Sequence, residues 1–120
     1  MSTTETILKD VYYGIPNGNY DGSSMDWASN GVQAADYYKG HGSLQSVRYQ
    51  LSGVVARIYV EGTLDPDPAN ANWFSTIVIG DGINPLNVYR SDSIVGNFTW
   101  ARVRVEAFSA GLIDQVTITY

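Results

Sequence analysis

The sequence predicts an all-β fold, specifically an antiparallel two-sheet sandwich that is jelly-roll-like and has about eight strands. Three observations lead to this prediction. Apolar and polar residues alternate through most of the chain, Gly, Asn, Asp and Pro recur between the alternating segments, and no long stretch combines helical apolar spacing with helix caps. A chain of 120 residues can enclose one hydrophobic core, so residues 1–120 are expected to form a single domain.

The predicted strands follow the alternating segments in order. They are Ile7–Tyr13, Val32–Tyr38, Leu44–Leu51, Val54–Leu64, Trp73–Ile79, Leu86–Tyr89, Phe98–Phe108 and Leu112–Tyr120. A long loop, Gly14–Asn30, is rich in turn-forming residues, and Asp67–Asn72 is short enough to form a single helical turn. Many short strands in one domain favour two stacked antiparallel sheets.

Two of these strands, Val54–Leu64 and Phe98–Phe108, have patterns that match each other. Their apolar faces are expected to point inward, and they consist of Val54, Ala56, Ile58, Val60 and Leu64 in the first strand and Ala101, Val103, Val105 and Ala107 in the second. The opposite faces predict an antiparallel register with the cross-strand pairs Arg57–Glu106, Tyr59–Arg104 and Glu61–Arg102. Each pair would contribute roughly 0.2–1 kcal/mol, with Tyr59 and Arg104 in a cation–π contact.

The composition argues against several classes of function. The formal net charge is −5 and only seven Lys and Arg residues are present, which disfavours non-specific nucleic-acid binding. Cysteine is absent, so neither a disulfide nor a thiolate metal site can form. The N-terminus lacks signal-peptide features, and no apolar run approaches the roughly 20 residues of a membrane span. We therefore expect a soluble protein made in a cytoplasm, without a membrane or nucleic-acid partner.

Candidate catalytic groups are few. His41 is the single histidine, and it lies in a Gly-rich segment without a serine nucleophile motif, so a loop role is favoured over a catalytic triad. One histidine also cannot build a zinc site. We expect no enzyme activity, no catalytic residue and no cofactor.

Four aspartates offer calcium as a minor alternative. Asp21 and Asp26 lie in the long loop, and Asp65 and Asp67 lie in the segment Asp-Pro-Asp-Pro. Carboxylate oxygens suit Ca²⁺, but neither segment has the EF-hand spacing or its bidentate glutamate. Asp-Gly and Asp-Pro are common turn formers, so a turn role is favoured.

Aromatic residues are the richest chemical feature of the chain. Several occur in adjacent pairs, so in an extended strand one member of each pair points away from the core. Outward aromatics can contact a partner protein, stack on a sugar or pack beneath the long loop. The residues predicted to bind a partner are Tyr20, Trp27, Arg57, Tyr59, Glu61, Trp73, Trp100, Arg102 and Arg104.

Several segments together are similar to a known class of protein. Ser-Leu-Gln-Ser-Val-Arg-Tyr-Gln-Leu at 43–51 leads into Ala-Arg-Ile-Tyr-Val-Glu-Gly-Thr-Leu at 56–64 and then Asp-Pro-Asp-Pro-Ala-Asn-Ala-Asn-Trp-Phe at 65–74. Gly-Asn-Phe-Thr-Trp-Ala-Arg-Val at 96–103 and Ala-Gly-Leu-Ile-Asp-Gln-Val-Thr-Ile-Thr-Tyr at 110–120 complete the pattern. Over residues 31–120 the chain resembles small all-β structural proteins of tailed bacteriophages, particularly those of marine and cyanobacterial hosts.

The resemblance implies a virion component, which would be a capsid decoration protein, a neck or tail protein, or a fibre-associated subunit. It implies synthesis in the host cytoplasm, location in the virion, and contacts with other virion proteins and with copies of itself. The alternative is a carbohydrate-binding module that stacks a glycan on surface aromatics, because jelly-roll modules include lectin domains.

Overall fold

The computed structural model describes residues 4–34, 43–96 and 98–119, where the regular elements are strands and one short 3₁₀ turn. The strands are β1 (Thr4–Tyr12), β2 (Trp27–Ala28), β3 (Val32–Gln33), β4 (Ser43–Thr63), β5 (Phe74–Ile79), β6 (Leu86–Gly96) and β7 (Trp100–Thr119), and the 3₁₀ turn is Pro68–Asn70. The strand pairs are antiparallel, which confirms the predicted all-β, antiparallel class. Within these ranges, no helix has the length and apolar character needed to cross a bilayer.

The two longest strands, β4 and β7, run through the middle of one open sheet of seven strands. In one half of the sheet, the first part of β4 lies between β6 and the last part of β7, which also pairs with β1. In the other half, the second part of β4 lies between β5 and the first part of β7, which also pairs with β2 and β3. The two long strands therefore belong to both halves.

Two glycines explain why β4 and β7 are longer than predicted. The predicted strands on either side of Gly53 merge into β4, and those on either side of Gly111 merge into β7. Gly53 has a φ of 65° and Gly111 a φ of 97°, in the left-handed region that residues with a Cβ rarely adopt. A Cβ on Gly111 would lie 2.4 Å from the carbonyl oxygen of Gly53. These glycines lie where the register between β4 and β7 shifts, inside continuous strands. The sequence pattern indicates turns at both positions.

The other strand boundaries differ from the predictions in smaller ways. β6 extends to Gly96, beyond the predicted strand Leu86–Tyr89. β2 forms inside the predicted loop Gly14–Asn30, where it pairs with β7. β3 covers the start of the predicted strand Val32–Tyr38, whose residues 35–38 lie outside the described ranges.

The predicted register between β4 and β7 is confirmed. The Cα partners are Arg57–Glu106, Ile58–Val105, Tyr59–Arg104, Val60–Val103 and Glu61–Arg102. In this register the apolar residues of both strands share the inner face and the charged residues share the outer face. A shift by one residue would exchange the two faces and bury the charges.

The hydrophobic core contains side chains from both halves of the sheet. Most residues predicted to point inward are buried, namely Val54, Ala56, Ile58, Val60, Ala101, Val103 and Val105. Two inward predictions are wrong. Leu64 is 58% exposed because β4 ends at Thr63, so the strand alternation no longer sets its direction. Ala107 has a φ of 55° at a register shift, after which Phe108 enters the core in its place.

Candidate interaction surface

A network of charged side chains occupies the outer face of the half-sheet that contains β5. Its centre is Glu61, whose side chain is only 5% exposed. Oε1 of Glu61 accepts a hydrogen bond from Nε of Arg102 at 2.8 Å, and Oε2 accepts one from Nε of Arg104 at 3.1 Å. Arg104 also donates from Nη1 to Glu106 at 2.9 Å. We call Tyr59, Glu61, Arg102, Arg104 and Glu106 the outer ladder.

Aromatic rings lie over the two guanidinium groups of the outer ladder. Cζ of Arg104 is 4.0 Å from the centroid of the Tyr59 ring, which is the cation–π contact predicted from the sequence. Cζ of Arg102 is 4.5 Å from the centroid of Trp73, a residue that precedes β5. The rings shield one side of each guanidinium from water, which strengthens its attraction to Glu61.

Burial and ion pairing act in opposite directions on Arg104. Partial burial lowers its pKa, but hydrogen bonds and negative charge from Glu61 and Glu106 outweigh burial and hold the pKa above the ordinary value. Arg104 therefore carries its positive charge at neutral pH, as an arginine side chain does generally. Because the outer ladder pairs its charges internally, we interpret it first as an element that sets strand register and second as a contact surface.

Arg57 lies at the rim of the outer ladder. It is exposed, and its Nη2 donates to the carbonyl oxygen of Asp81 at 3.4 Å. Interaction with Tyr59, followed by the charges of Glu106 and Asp81, raises its pKa above the ordinary value. Glu106 is the cross-strand neighbour of Arg57 but forms its ion pair with Arg104. The guanidinium of Arg57 therefore stays exposed to solvent.

Trp100 holds a turn beside the outer ladder. Its Nε1 donates to the carbonyl oxygen of Pro66 at 3.0 Å. The neighbouring Thr99 hydroxyl donates to the carbonyl oxygen of Asp65 at 2.6 Å. Trp100 therefore fastens the segment that leads to the 3₁₀ turn, and its indole N–H is not offered to a partner.

Tyr20 and Trp27 are corrections to the predicted partner-binding set. Tyr20 is fully buried and Trp27 is 9% exposed. Their ring centroids are 5.3 Å apart, and both rings pack against Phe108. The hydroxyl of Tyr20 accepts a hydrogen bond from the N–H of Gly14 at 2.8 Å. The long loop thus folds back on β7 and buries its own aromatics, as the loop-packing alternative describes.

The four candidate calcium ligands accept hydrogen bonds from the chain itself. The donors are the backbone N–H groups of Ser23 and Ser24 for Asp21, Ala107 for Asp26, Asn72 for Asp65 and Ala69 for Asp67. The bonds from Ser23 and Ser24 lower the pKa of Asp21 to about 2. Across the described ranges, no three His, Cys, Asp or Glu side chains lie where they could hold one metal ion. Asp21 and Asp67 hold local turns, whereas Asp26 and Asp65 connect segments that are further apart in the sequence.

A cleft of about 430 Å³ lies next to Arg102. One wall is formed by Asn19 and residues 28–31, another by Pro68 and Ala69, and Trp73 completes the lining with Arg102. A Cβ on Gly31 would lie 3.2 Å from Cη2 of Trp73 and 3.0 Å from Cβ of Pro68. The missing side chain of Gly31 therefore lets the indole ring approach the loop.

β5 is an edge strand without the usual protection. Its sequence, Phe-Ser-Thr-Ile-Val-Ile, contains no charged residue and no proline, and among the described strands it pairs only with β4. Phe74 and Val78 are 53% and 54% exposed. The other described edge strands longer than two residues carry charges, three in β1 and two in β6. Because charged residues discourage pairing at sheet edges, β5 is the edge best suited to add another strand.

The predicted partner-binding residues are thus divided by the structure. Arg57, Tyr59, Glu61, Trp73, Arg102 and Arg104 lie together at the outer ladder and its rim, Trp100 holds a turn beside it, and Tyr20 and Trp27 are in the core. The candidate residues outside the predicted partner-binding set are Asn19, Asn30, Phe74 and Val78, of which Phe74 belongs to one of the adjacent aromatic pairs. For Phe74 and Val78 the signal was available, because the uncharged sequence of β5 is readable directly.

No protein-family model matches the chain, and no curated protein or solved structure is significantly similar to it. The catalytic candidate His41 lies outside the described ranges. Function is therefore inferred from the chemistry of the cleft, the outer ladder and the β5 edge.

Proposed function

We propose that the protein is a non-enzymatic structural protein that assembles with copies of itself through β5. The observation that carries this proposal is the uncharged edge of β5, which no described strand covers, with its exposed Phe74 and Val78. A second β5 in antiparallel orientation would satisfy the open backbone groups and extend the sheet across two subunits. The strand can meet its own copy without bringing like charges together, which β1 and β6 cannot do as readily.

The outer face of the sheet next to β5 also suits a contact between two subunits. Val78 faces Tyr59 across β5 and β4, so an apolar strip continues from the edge to the outer ladder. Arg57 and Glu106 lie at the rim of this strip. An apolar centre with a charged rim is the usual arrangement of a protein–protein interface.

We further propose that the open sheet closes into a two-layer, jelly-roll-like sandwich in one domain. Its two halves share β4 and β7, and side chains from both halves contribute to one core. The irregular positions at Gly53 and Gly111 lie where these strands pass from one half to the other. Bulges and bends of this kind let strands change layers in orthogonal sandwiches.

The setting we propose for the assembly is the particle of a tailed bacteriophage. The support is the resemblance of residues 31–120 to small virion proteins, which work as repeated copies and contact other virion proteins. Capsid decoration, neck or tail, and fibre-associated positions all fit such a subunit. Mass spectrometry of purified particles should find the chain in many copies, and its absence from particles would reject this setting.

The β5 contact is tested by light scattering coupled to size-exclusion chromatography. The wild-type protein should form concentration-dependent oligomers, and Val78→Lys should shift them toward monomers by placing a charge on the edge. Ser93→Lys is the matched control, because Ser93 is exposed on β6, which already carries charges. A wild-type protein that is monomeric up to its solubility limit, or a V78K variant that assembles like wild type, would reject the proposal.

A further inference from the structure

The cleft beside Trp73 contains amide groups held in fixed positions. Nδ2 of Asn19 donates to the carbonyl oxygen of Ala28 and to Oδ1 of Asn30, both at 3.0 Å. Ser29 fixes the same loop, because its hydroxyl donates to the Asn30 carbonyl oxygen and accepts the N–H of Val103. Within the described part of the chain, no hydrogen bond uses Oδ1 of Asn19 or Nδ2 of Asn30. Asn19 therefore keeps one free acceptor and Asn30 one free donor in the lining of the cleft.

Arg102 is the charged residue of the cleft lining, and its direction is set by its partners. Nε is held by Glu61 at 2.8 Å, and the guanidinium lies against the Trp73 ring. The side chain is 25% exposed. Because its bond to Glu61 uses Nε, the terminal Nη groups can donate to a molecule in the cleft without breaking the ion pair.

Trp73 adds an apolar surface to this polar cleft. It is half-buried, its ring edge lies close to Gly31, and Arg102 lies over the ring. A guanidinium on one side and a closely packed loop at the edge restrict the motion of the indole. A rigid aromatic ring gives contact area to a ligand at little cost in conformational entropy.

These groups match the chemistry of a sugar. A pyranose ring carries hydroxyl groups that each donate and accept hydrogen bonds, and its C–H bonds pack against aromatic rings. The paired amides of Asn19 and Asn30, the guanidinium of Arg102 and the indole of Trp73 supply both kinds of contact. The cleft volume of about 430 Å³ lies in the range typical of small-molecule sites.

The geometry points to a saccharide-binding site in the cleft between residues 28–31 and the 3₁₀ turn. Asn19, Asn30 and Arg102 bind the sugar hydroxyls, and Trp73 packs against the ring. The cleft is formed within one subunit and does not include β5, so this inference stands separately from self-assembly. The Arg102 side chain serves two purposes, because one nitrogen sets the strand register and the others bind the sugar.

A printed array of neutral and carboxylated glycans tests this site, and isothermal titration calorimetry with the best-retained glycan gives the affinity. Ala69→Trp fills the cleft from an exposed position, and Trp73→Ala removes the aromatic surface. Tyr89→Ala is the matched control, since Tyr89 is a 68% exposed aromatic on β6. Both cleft variants should weaken binding by about tenfold or more, and the control should bind like wild type.

Three outcomes would overturn the saccharide site. They are no retention of any glycan by the wild type, binding that survives Ala69→Trp, and equal loss in Tyr89→Ala. Because Ala69 is exposed, circular dichroism should show that A69W keeps the native fold even if W73A does not. V78K should keep the wild-type affinity per subunit, so failure of assembly and failure of sugar binding are distinguished.

Discussion

The carboxylate of Glu61 and the guanidinium of Arg102 meet across β4 and β7, with Oε1 2.8 Å from Nε. The other oxygen of the same carboxylate holds Arg104 at 3.1 Å. One buried anion therefore binds two cations of the neighbouring strand. Both cations reach solvent with part of their side chains, whereas the side chain of Glu61 is almost completely buried. The alignment of the two longest strands depends on this residue more than on any other member of the outer ladder.

Replacing Glu61 with Gln should lower the free energy of unfolding by roughly 1–3 kcal/mol. Gln keeps the shape of the side chain but leaves two neighbouring guanidinium groups without their shared negative charge. The loss stays below that of a fully buried pair because both Arg residues reach water. Urea unfolding followed by tryptophan fluorescence measures the difference.

The control is the same substitution at Glu106, whose side chain is 31% exposed and which, among the described residues, forms an ion pair with Arg104 only. Glu106→Gln should cost no more than about 1 kcal/mol, as expected of a solvent-accessible pair. Equal effects of E61Q and E106Q would contradict the central role of Glu61.

Gly111→Ala should destabilise the protein by about 3 kcal/mol or more. A Cβ at this position meets the backbone of Gly53 at 2.4 Å, so the two central strands would have to separate. Gly53→Ala is the matched control, because Gly53 also has a positive φ but a Cβ there would meet nothing within 4 Å. It should cost about 1 kcal/mol from backbone strain alone. Thermal unfolding of both variants measures the loss of stability. A smaller loss in G111A than in G53A would contradict the close approach of Gly111 to the Gly53 backbone.

Ala107→Gly should stabilise the protein, by up to about 1 kcal/mol. Ala107 has a φ of 55°, which is unfavourable for a residue with a Cβ, and glycine removes that strain. Ala110→Gly on the same strand serves as the control and should destabilise by roughly 0.5–1 kcal/mol, because Ala110 does not have a positive φ. Chemical denaturation should show opposite signs for the two variants, and matching signs would count against the strain.

Protonation of Asp21 at low pH should destabilise the folded conformation of the long loop. Hydrogen bonds from Ser23 and Ser24 lower the pKa of Asp21 from 3.8 to about 2, so the ionised carboxylate stabilises the folded state above that ordinary value. This contribution is lost as the pH falls from 3.8 to about 2. NMR titration of the carboxyl carbon should give the lowered pKa directly. Ser24→Ala should raise it by removing a donor, and titration of Asp21 at its ordinary value would exclude these bonds in solution.

The register of β4 and β7 could be predicted because two independent patterns agree on it. Alternation of apolar residues sets the faces, and the charges of Arg57, Glu61, Arg102 and Glu106 select the alignment. The ion pairs themselves were only partly predictable. Glu106 pairs with Arg104 along its own strand and not with Arg57 opposite, since side-chain reach is not set by Cα register.

Other features could not be predicted because they depend on residues distant in sequence. Gly53 and Gly111 look like turn residues, and only their mutual approach shows that the strands continue through them. Packing of aromatics beneath the long loop was one expected alternative, but the choice of Tyr20 and Trp27 depends on Phe108, which lies about 80 residues further along the chain. The cleft likewise combines Asn19, Trp73 and Arg102 from three separate segments.

The shared strands β4 and β7 also determine how the chain must fold in time. The β4–β7 pairs extend from Thr63 with Trp100 to Ser46 with Thr119, so each one closes a long stretch of intervening chain. Such closures cost entropy before any contact compensates for it, and proteins dominated by them fold slowly. β5 and β6 both pair with β4 and precede β7 along the chain, so these three strands can pair before the last strand is added. Until β7 arrives, the apolar face of β4 lacks its central neighbour, and this interval is when a growing chain would most need protection from aggregation.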